Sequence, residues 1–284
     1  MMRPRLDFTQ TIYCVKMQGS GNDFLLLFNQ DIELTPSAMP HWARSLCRRG
    51  FGAGADGLII LEPAEDDPGL DYRWHFYNAD GSRAEMCGNG SRCAARLAFE
   101  SGLAPASQVL GTDAGPVRAR VLEESGEVAV QLTQASDLEL FIRLQDSGWD
   151  RHVHFVNTGV PHAVLFSEEA DHEDLGQLGP WLRYHLRFAP EGCNVNIVQT
   201  TESGLYLRTY ERGVEEETYA CGTGAVAAAY ISRHLDYVGD QMEVTTSGGE
   251  RLSVSLEGEE LFLQGAAEFV YQAELNLPAL GLEA

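Results

Sequence analysis

The apolar positions of this chain follow a pattern that runs twice. Phe24-Leu-Leu-Leu-Phe28 is a run of strand length behind the turn-former Gly21, and His162-Ala-Val-Leu-Phe166 stands behind Gly159, 138 positions on. Each run leads into a helical periodicity, with Ala38, Trp42, Ala43 and Leu46 within 37–49, and Leu175, Leu178, Leu182 and Leu186 within 174–187. Spacings of three and four residues place each set on one helical face. Turn-forming clusters close both helices, Gly52-Ala-Gly-Ala-Asp-Gly57 and Pro190-Glu-Gly-Cys-Asn194, with Gly54 and Gly192 again 138 apart. Apolar strands follow at 58–61 and 195–198, and then alternating segments with Tyr72, Trp74 and Phe76, or with Leu205 and Leu207. Alternation of this kind marks a strand with one buried face.

Each half then reaches its most distinctive segment, Cys87-Gly-Asn-Gly-Ser-Arg-Cys-Ala-Ala and Cys221-Gly-Thr-Gly-Ala-Val-Ala-Ala-Ala. Cys-Gly-x-Gly opens an Ala-rich helix both times, predicted over 88–100 and 222–234, with Gly102 as the stop of the first. Strand candidates follow over 108–130 and 242–264. The segment 265–284 has no visible counterpart and is expected to return to the first domain. Landmarks in register over roughly 110 residues indicate an internal duplication. The expected domains are 1–134 with 266–284, carrying Cys87, and 135–265, carrying Cys221. Two such halves face to face would put equivalent helices on the walls of one cleft.

Composition adds limits. A chain of 284 residues with 44% hydrophobic, 9% aromatic and 22% charged residues is globular and long enough for two domains. Its 42 acidic and 20 basic residues leave a net charge of -22, which disfavours nucleic acid and anionic membranes as partners. Lys16 is the sole lysine, and an acid-rich, lysine-poor surface reads first as adaptation to high salt. Any lysine Schiff base would have to form at Lys16. Residues 1–13 carry no apolar stretch of export-signal length, so a soluble, cytoplasmic protein is expected. The cysteines at 14, 47, 87, 93, 193 and 221 form neither a dense disulfide framework nor CxxC zinc knuckles, so free thiols and no metal are expected. Cys14, Cys47 and Cys93 fit core positions, whereas Cys193 fits either the core or a turn facing the cleft.

Cys87 and Cys221 stand where helix-end amides and the positive end of the dipole lower a thiol below its usual value of about 8.5. The glycines after each let amides approach a bound carboxylate. Two sulfurs approaching one carbon from opposite faces supply what a racemase or epimerase needs without a cofactor: a thiolate to remove the α-proton and a thiol to return one. Two nearby thiolates repel, so the pair would share one proton as a coupled system. Either cysteine alone is as readily a core residue; the pair in register favours chemistry.

Lys16-Met-Gln-Gly-Ser-Gly-Asn-Asp-Phe24, Gly54-Ala-Asp-Gly57, Phe76-Tyr-Asn-Ala-Asp-Gly-Ser82, Glu85-Met-Cys-Gly-Asn-Gly90 and Glu211-Arg-Gly213 with Ala220-Cys-Gly-Thr-Gly224 together resemble the diaminopimelate epimerase family over nearly the whole chain. The resemblance implies an α+β fold of two pseudo-symmetric domains, each a curved mixed or antiparallel sheet rolled round a central helix. It implies catalytic roles for Cys87 and Cys221, and thiol tuning by His162 and Glu211. By the same resemblance, Gly88, Asn89, Gly222 and Thr223 would bind the reacting end of the substrate. Arg212, Asn78, Asn194 and Asn22, with Glu211, would hold the distal end, where a guanidinium suits a second carboxylate. The implied activity is cofactor-independent interconversion of LL- and meso-diaminopimelate by a cytoplasmic homodimer, supplying lysine and peptidoglycan precursor. Two positions depart from the pattern: Val160 replaces an Asn and Gly57 a Gln, and Asn196 is a possible substitute donor.

Three other readings fit the residues less well. A same-fold racemase for another amino acid, such as histidine, would leave Arg212 poorly paired. A silent amino-acid-binding protein would not need two thiols in register. A pyridoxal phosphate racemase lacks a suitable lysine.

Overall fold

The computed structural model describes residues 10–283, so the reading of residues 1–13 falls, for positions 1–9, outside the described residues. In chain order the elements are β1 (Thr11–Gly19), β2 (Asn22–Phe28), α1 (Met39–Cys47), β3 (Gly57–Pro63), β4 (Tyr72–Asn78), α2 (Gly88–Glu100), β5 (Ser107–Thr112), β6 (Gly115–Val121) and β7 (Val128–Leu132). They continue with β8 (Ser136–Asp146), β9 (Trp149–Asn157), β10 (Pro161–Phe166), α3 (Leu175–Arg183), β11 (Asn194–Thr201), β12 (Gly204–Tyr210), β13 (Glu217–Thr218) and α4 (Gly222–His234). The last are β14 (Gln241–Thr246), β15 (Arg251–Glu257), β16 (Glu260–Gly265) and β17 (Glu268–Asn276). Two compact units result, one running to Val128 and resuming at Ala266, the other Ala129–Gly265.

In the first unit the strands pair in the order β17, β1, β2, β3, β4, β5, β6, with β2/β3 and β4/β5 parallel and the rest antiparallel. The second unit repeats this as β8, β9, β10, β11, β12, β14, β15, with β10/β11 and β12/β14 parallel. A parallel pair needs a crossover, and each is spanned by a helix: α1 and α2 in one unit, α3 and α4 in the other. One expectation is corrected here. Within residues 265–284, β17 does have a counterpart, because it flanks β1 as β8 flanks β9.

Both faces of each sheet are covered, which explains the continuous apolar runs. Leu25, Leu27, Leu58 and Ile60 pack with Met39, Trp42, Ala43 and Leu46 of α1. The alternate residues Phe24, Leu26, Ile59 and Leu61 point to the opposite face and are equally buried. There α2 contacts β1, β2, β3, β5 and β6, and α4 holds the same place against β9 to β12 and β14 to β16. A sheet whose strands nearly all touch one helix must curve round it. Ala94, Ala95 and Ala98 of α2, and Ala225 and Ala227–Ala229 of α4, are buried to within 1%, small side chains that let the sheet close tightly. Among the described residues no helix is long and apolar enough to cross a membrane.

The third predicted helix is shorter than its leucine pattern. α3 ends at Arg183, and a separate 3-10 turn over Leu186–Phe188 leaves Leu186 87% exposed.

Candidate active site

In the first unit Cys87 occupies the N-cap of α2 with extended backbone (φ −150°, ψ 118°), and its Sγ accepts from the Gly90 amide at 3.4 Å. The sulfur thereby satisfies a donor that a helix start otherwise leaves open. On another side it stands 3.8 Å from Asn22 Oδ1 on β2. Burial pushes the Cys87 thiol up; the Gly90 and Asn89 amides and the Arg92 charge pull the other way, and Asp56 adds to the rise. Arg92, one turn into the helix and fully buried, donates to Ser20 Oγ and to Asn89 Oδ1 at 2.9 Å. Asn78 lies at the exposed end of β4, where its Nδ2 donates to Ser82 Oγ at 2.9 Å.

In the second unit Cys221 is the N-cap of α4, 8% exposed, with Sγ 3.5 Å from Thr223 Oγ1. Burial pushes its thiol up to about 11, the Glu211 carboxylate adds to the rise, and the Thr223 hydroxyl with the Thr223 and Gly224 amides opposes it. Thr158 Oγ1 donates to Thr223 O at 3.0 Å and so anchors the helix start. The expectation that helix ends depress both thiols is therefore corrected: desolvation outweighs the amides at each.

Strand register explains how the neighbours of Cys221 gather. Asn194 pairs with His162 across β10/β11, and continuing the β11/β12 register beyond Val195↔Tyr210 sets Glu211 opposite Asn194. Gly57 and Asn78 are paired in the same way in the first unit, so Glu211 is the internal mate of Asn78. Asn194 Oδ1 accepts from the Arg212 amide at 2.8 Å and its Nδ2 donates to Pro161 O at 3.3 Å. Asn194 thus braces the turn that carries Glu211 and Arg212. Burial raises the Glu211 carboxyl, against a hydrogen bond from Thr218. Among the described residues the Arg212 guanidinium has only a loose partner, Glu191 at 3.8 Å, whose side chain is 78% exposed, a contact of little energetic value.

His162 is fully buried. Asn196 Nδ2 lies 3.0 Å from its Nδ1 and 3.1 Å from Ala163 O, while Thr209 Oγ1 donates to Asn196 Oδ1 at 3.0 Å. This pattern makes Nδ1 an acceptor and puts the imidazole proton on Nε2, which has no hydrogen-bond partner among the described residues. Burial, aided by the Arg212 charge, pushes His162 down to about 3. The unfolded chain then binds a proton near pH 6.5 that the folded chain refuses, so this contribution to stability is complete above that pH and is lost as pH falls towards 3. Wild type should lose about 1.4 kcal/mol more than His162→Gln between pH 7.5 and 5.5 in urea unfolding; equal losses would contradict the assignment.

The same network corrects the suggestion that Asn196 replaces a missing substrate donor. It is buried to within 1%, and both its amide hydrogens and its carbonyl are engaged inside the protein. The absence of a side chain at Gly57 also has a packing cause, because a Cβ there would lie 2.6 Å from the Phe76 ring and 2.9 Å from Tyr77 O. Cys193 is core, fully buried and 3.9 Å from Leu182 O. Sequence reasoning passed over Arg92, Thr158 and Thr209; only their place in the Cys-Gly-x-Gly helix or beside a landmark hinted at a role.

Residues 14–138 and 154–270 match the profile of the family described as Diaminopimelate epimerase. A diaminopimelate epimerase of Hydrogenobaculum sp. (strain Y04AAS1) is 42% identical over 271 residues, covering 92% of this chain and 97% of its own. One from Aquifex aeolicus (strain VF5) is 41% identical, with 92% and 96% covered. Among solved structures, a methylitaconate-delta-isomerase aligns with TM-score 0.69 at 13% identity, over 95% of this chain and 97% of that one. A hydroxyproline epimerase from Agrobacterium vitis aligns with TM-score 0.65 at 17% identity, over 97% and 96%. At such identities the structural matches speak for the fold alone, a mixed-sheet, two-unit architecture. The profile and the sequence relatives speak for more: this chain belongs to the diaminopimelate epimerase family.

Proposed function

We propose that this chain interconverts LL- and meso-diaminopimelate, with Cys87 and Cys221 as the two proton-transfer groups at one α-carbon. The observation that carries the reading is one local design built twice: a cysteine at the N-cap of a largely buried helix of 13 residues, followed by Gly-x-Gly. One thiolate removes the α-proton, the other thiol protonates the opposite face, and the roles exchange in the reverse direction. The carboxylate on the reacting carbon goes to the helix-end amides of Gly88, Asn89, Gly222 and Thr223, which stabilise charge as it spreads from the carbanion. Burial favours the thiol form of both cysteines. A substrate ammonium within a few ångströms works against that rise, since an opposite charge at such range lowers an acid's pKa by about 1 to 3.

Arg212 takes the distal carboxylate, with Asn22, Asn78, Asn194 and Glu211 around the distal ammonium and backbone. His162 acts as a neutral donor through Nε2, and Glu211 sets the acidity of Cys221. The same reading has the enzyme work without cofactor or metal, as a cytoplasmic homodimer, in the supply of lysine and peptidoglycan precursor. The test is incubation of reduced protein with LL-diaminopimelate at high salt without added cofactor, beside L-histidine and L-proline, followed by chiral chromatography. Formation of meso-diaminopimelate alone supports the proposal. Conversion of another amino acid instead, or no conversion by folded and reduced protein, overturns it.

A further inference from the structure

The sole lysine, the arginine after α1 and two aspartates form a charge cluster that the proposed chemistry does not use. Asp23 Oδ2 pairs with Lys16 Nζ at 2.7 Å, and both its oxygens accept from Arg49, at 2.6 and 3.1 Å. Lys16, 5% exposed, also donates to Gly54 O. Arg49 Nη2 reaches on to Asp56 Oδ1 at 2.9 Å. The two aspartates lock each other's backbones: Asp56 N donates to Asp23 Oδ1 at 2.9 Å and Asp23 N to Asp56 Oδ2 at 3.2 Å. Asp56 Oδ2 also accepts from Asn22 Nδ2 at 2.7 Å.

That last bond decides which way the Asn22 amide faces. With its NH2 committed to Asp56, Asn22 turns its carbonyl to Cys87 Sγ, 3.8 Å away. We infer that Asp56, held by Arg49, is a positioning residue for Cys87: it fixes the Asn22 carbonyl as the acceptor of the Cys87 S–H and so sets how readily this sulfur gives up its proton. The second unit has no such device: the register that pairs Phe24 with Gly57 and His162 with Asn194 makes Val160 and Cys193 the counterparts of Asn22 and Asp56. The other charged group acting on Cys87 is Arg92 on its own helix, which opposes Asp56. The inference rests on the two-thiol reading for its catalytic meaning, while its geometry stands independently.

Asp56→Asn preserves shape, but each Asp56 oxygen faces a donor, so an amide in either orientation sets an NH2 against Arg49 or against Asn22 and Asp23 N. The test is the pH dependence of Cys87 alkylation by iodoacetamide in a Cys221→Ala background, with and without Asp56→Asn or Arg49→Gln. The Cys87 midpoint should fall by about 0.5 to 1 in pH for Asp56→Asn, a three- to tenfold faster alkylation below the midpoint, whereas Arg49→Gln, which removes a cation and keeps the Asp56 charge, should not lower it. A midpoint unmoved by Asp56→Asn, in protein folded by circular dichroism, overturns the inference and leaves Asp56 with a purely structural role. Because the readout is alkylation, inactivity of the wild type towards diaminopimelate would sink the proposed function without altering this result.

Discussion

Cys87→Ala and Cys221→Ala should each cut kcat/KM for epimerisation by about 1,000-fold or more, because inversion needs a proton acceptor and a proton donor on opposite faces and neither thiol can serve both. The fold should survive. Each substitution removes one sulfur at a helix start, and loss of an N-cap acceptor costs only about 1 kcal/mol. The Cys87 variant gives up its bond from Gly90, whereas Cys221 makes no side-chain cap bond, so the Cys87 variant should be the less stable of the two. Turnover assays with urea unfolding check both statements; substantial turnover in either variant would end the two-base account.

The second large effect separates two glycines that hold the same place in the repeat. At Gly224 a Cβ would meet Asn196 Oδ1 at 2.5 Å, and Cys221 Sγ and Thr209 Oγ1 at 3.3 Å. Asn196 cannot yield, because His162, Ala163 and Thr209 hold it from both ends. At Gly90 the nearest atoms are Ile59 Cδ1 at 3.2 Å and Trp74 Cζ3 at 3.4 Å, ends of side chains that can shift. Gly224→Ala should therefore lose about 2 to 3 kcal/mol of stability through overpacking and broken buried hydrogen bonds, and about 100-fold in kcat/KM through displacement of Cys221. Gly90→Ala should stay within about 1 kcal/mol of wild type, its crowding offset by alanine's helix propensity. Equal effects at the two sites would show that the buried Asn196 network does not position the thiol.

These contrasts mark where sequence reasoning reaches its limit. The helices at 88–100 and 222–234 were legible end to end, because Cys-Gly-x-Gly punctuates their starts and small residues fill their interiors. Leu186 misled, since it continues the four-residue spacing of Leu178 and Leu182 by coincidence and points to solvent. The kinship of β8 and β17 was hidden because β8 joins β9 through a hairpin while β17 reaches β1 after β16, so no constant offset relates them. The thiols' rise was invisible for a deeper reason: helix-end amides are a local feature readable from spacing, whereas desolvation depends on everything packed around the sulfur. Asp56 stands in the legible Gly54-Ala-Asp-Gly57 motif, but its grip on Asn22 exists only once β2 and β3 pair.

The most direct test of the central claim follows α-hydrogen in heavy water at low conversion from LL-diaminopimelate, with reduced protein at high salt. Two bases acting on opposite faces predict meso product carrying solvent deuterium at the inverted carbon, while recovered LL substrate keeps its original hydrogen. Meso product that retains the substrate's own α-hydrogen would contradict the account, because one group would then have carried the proton from face to face.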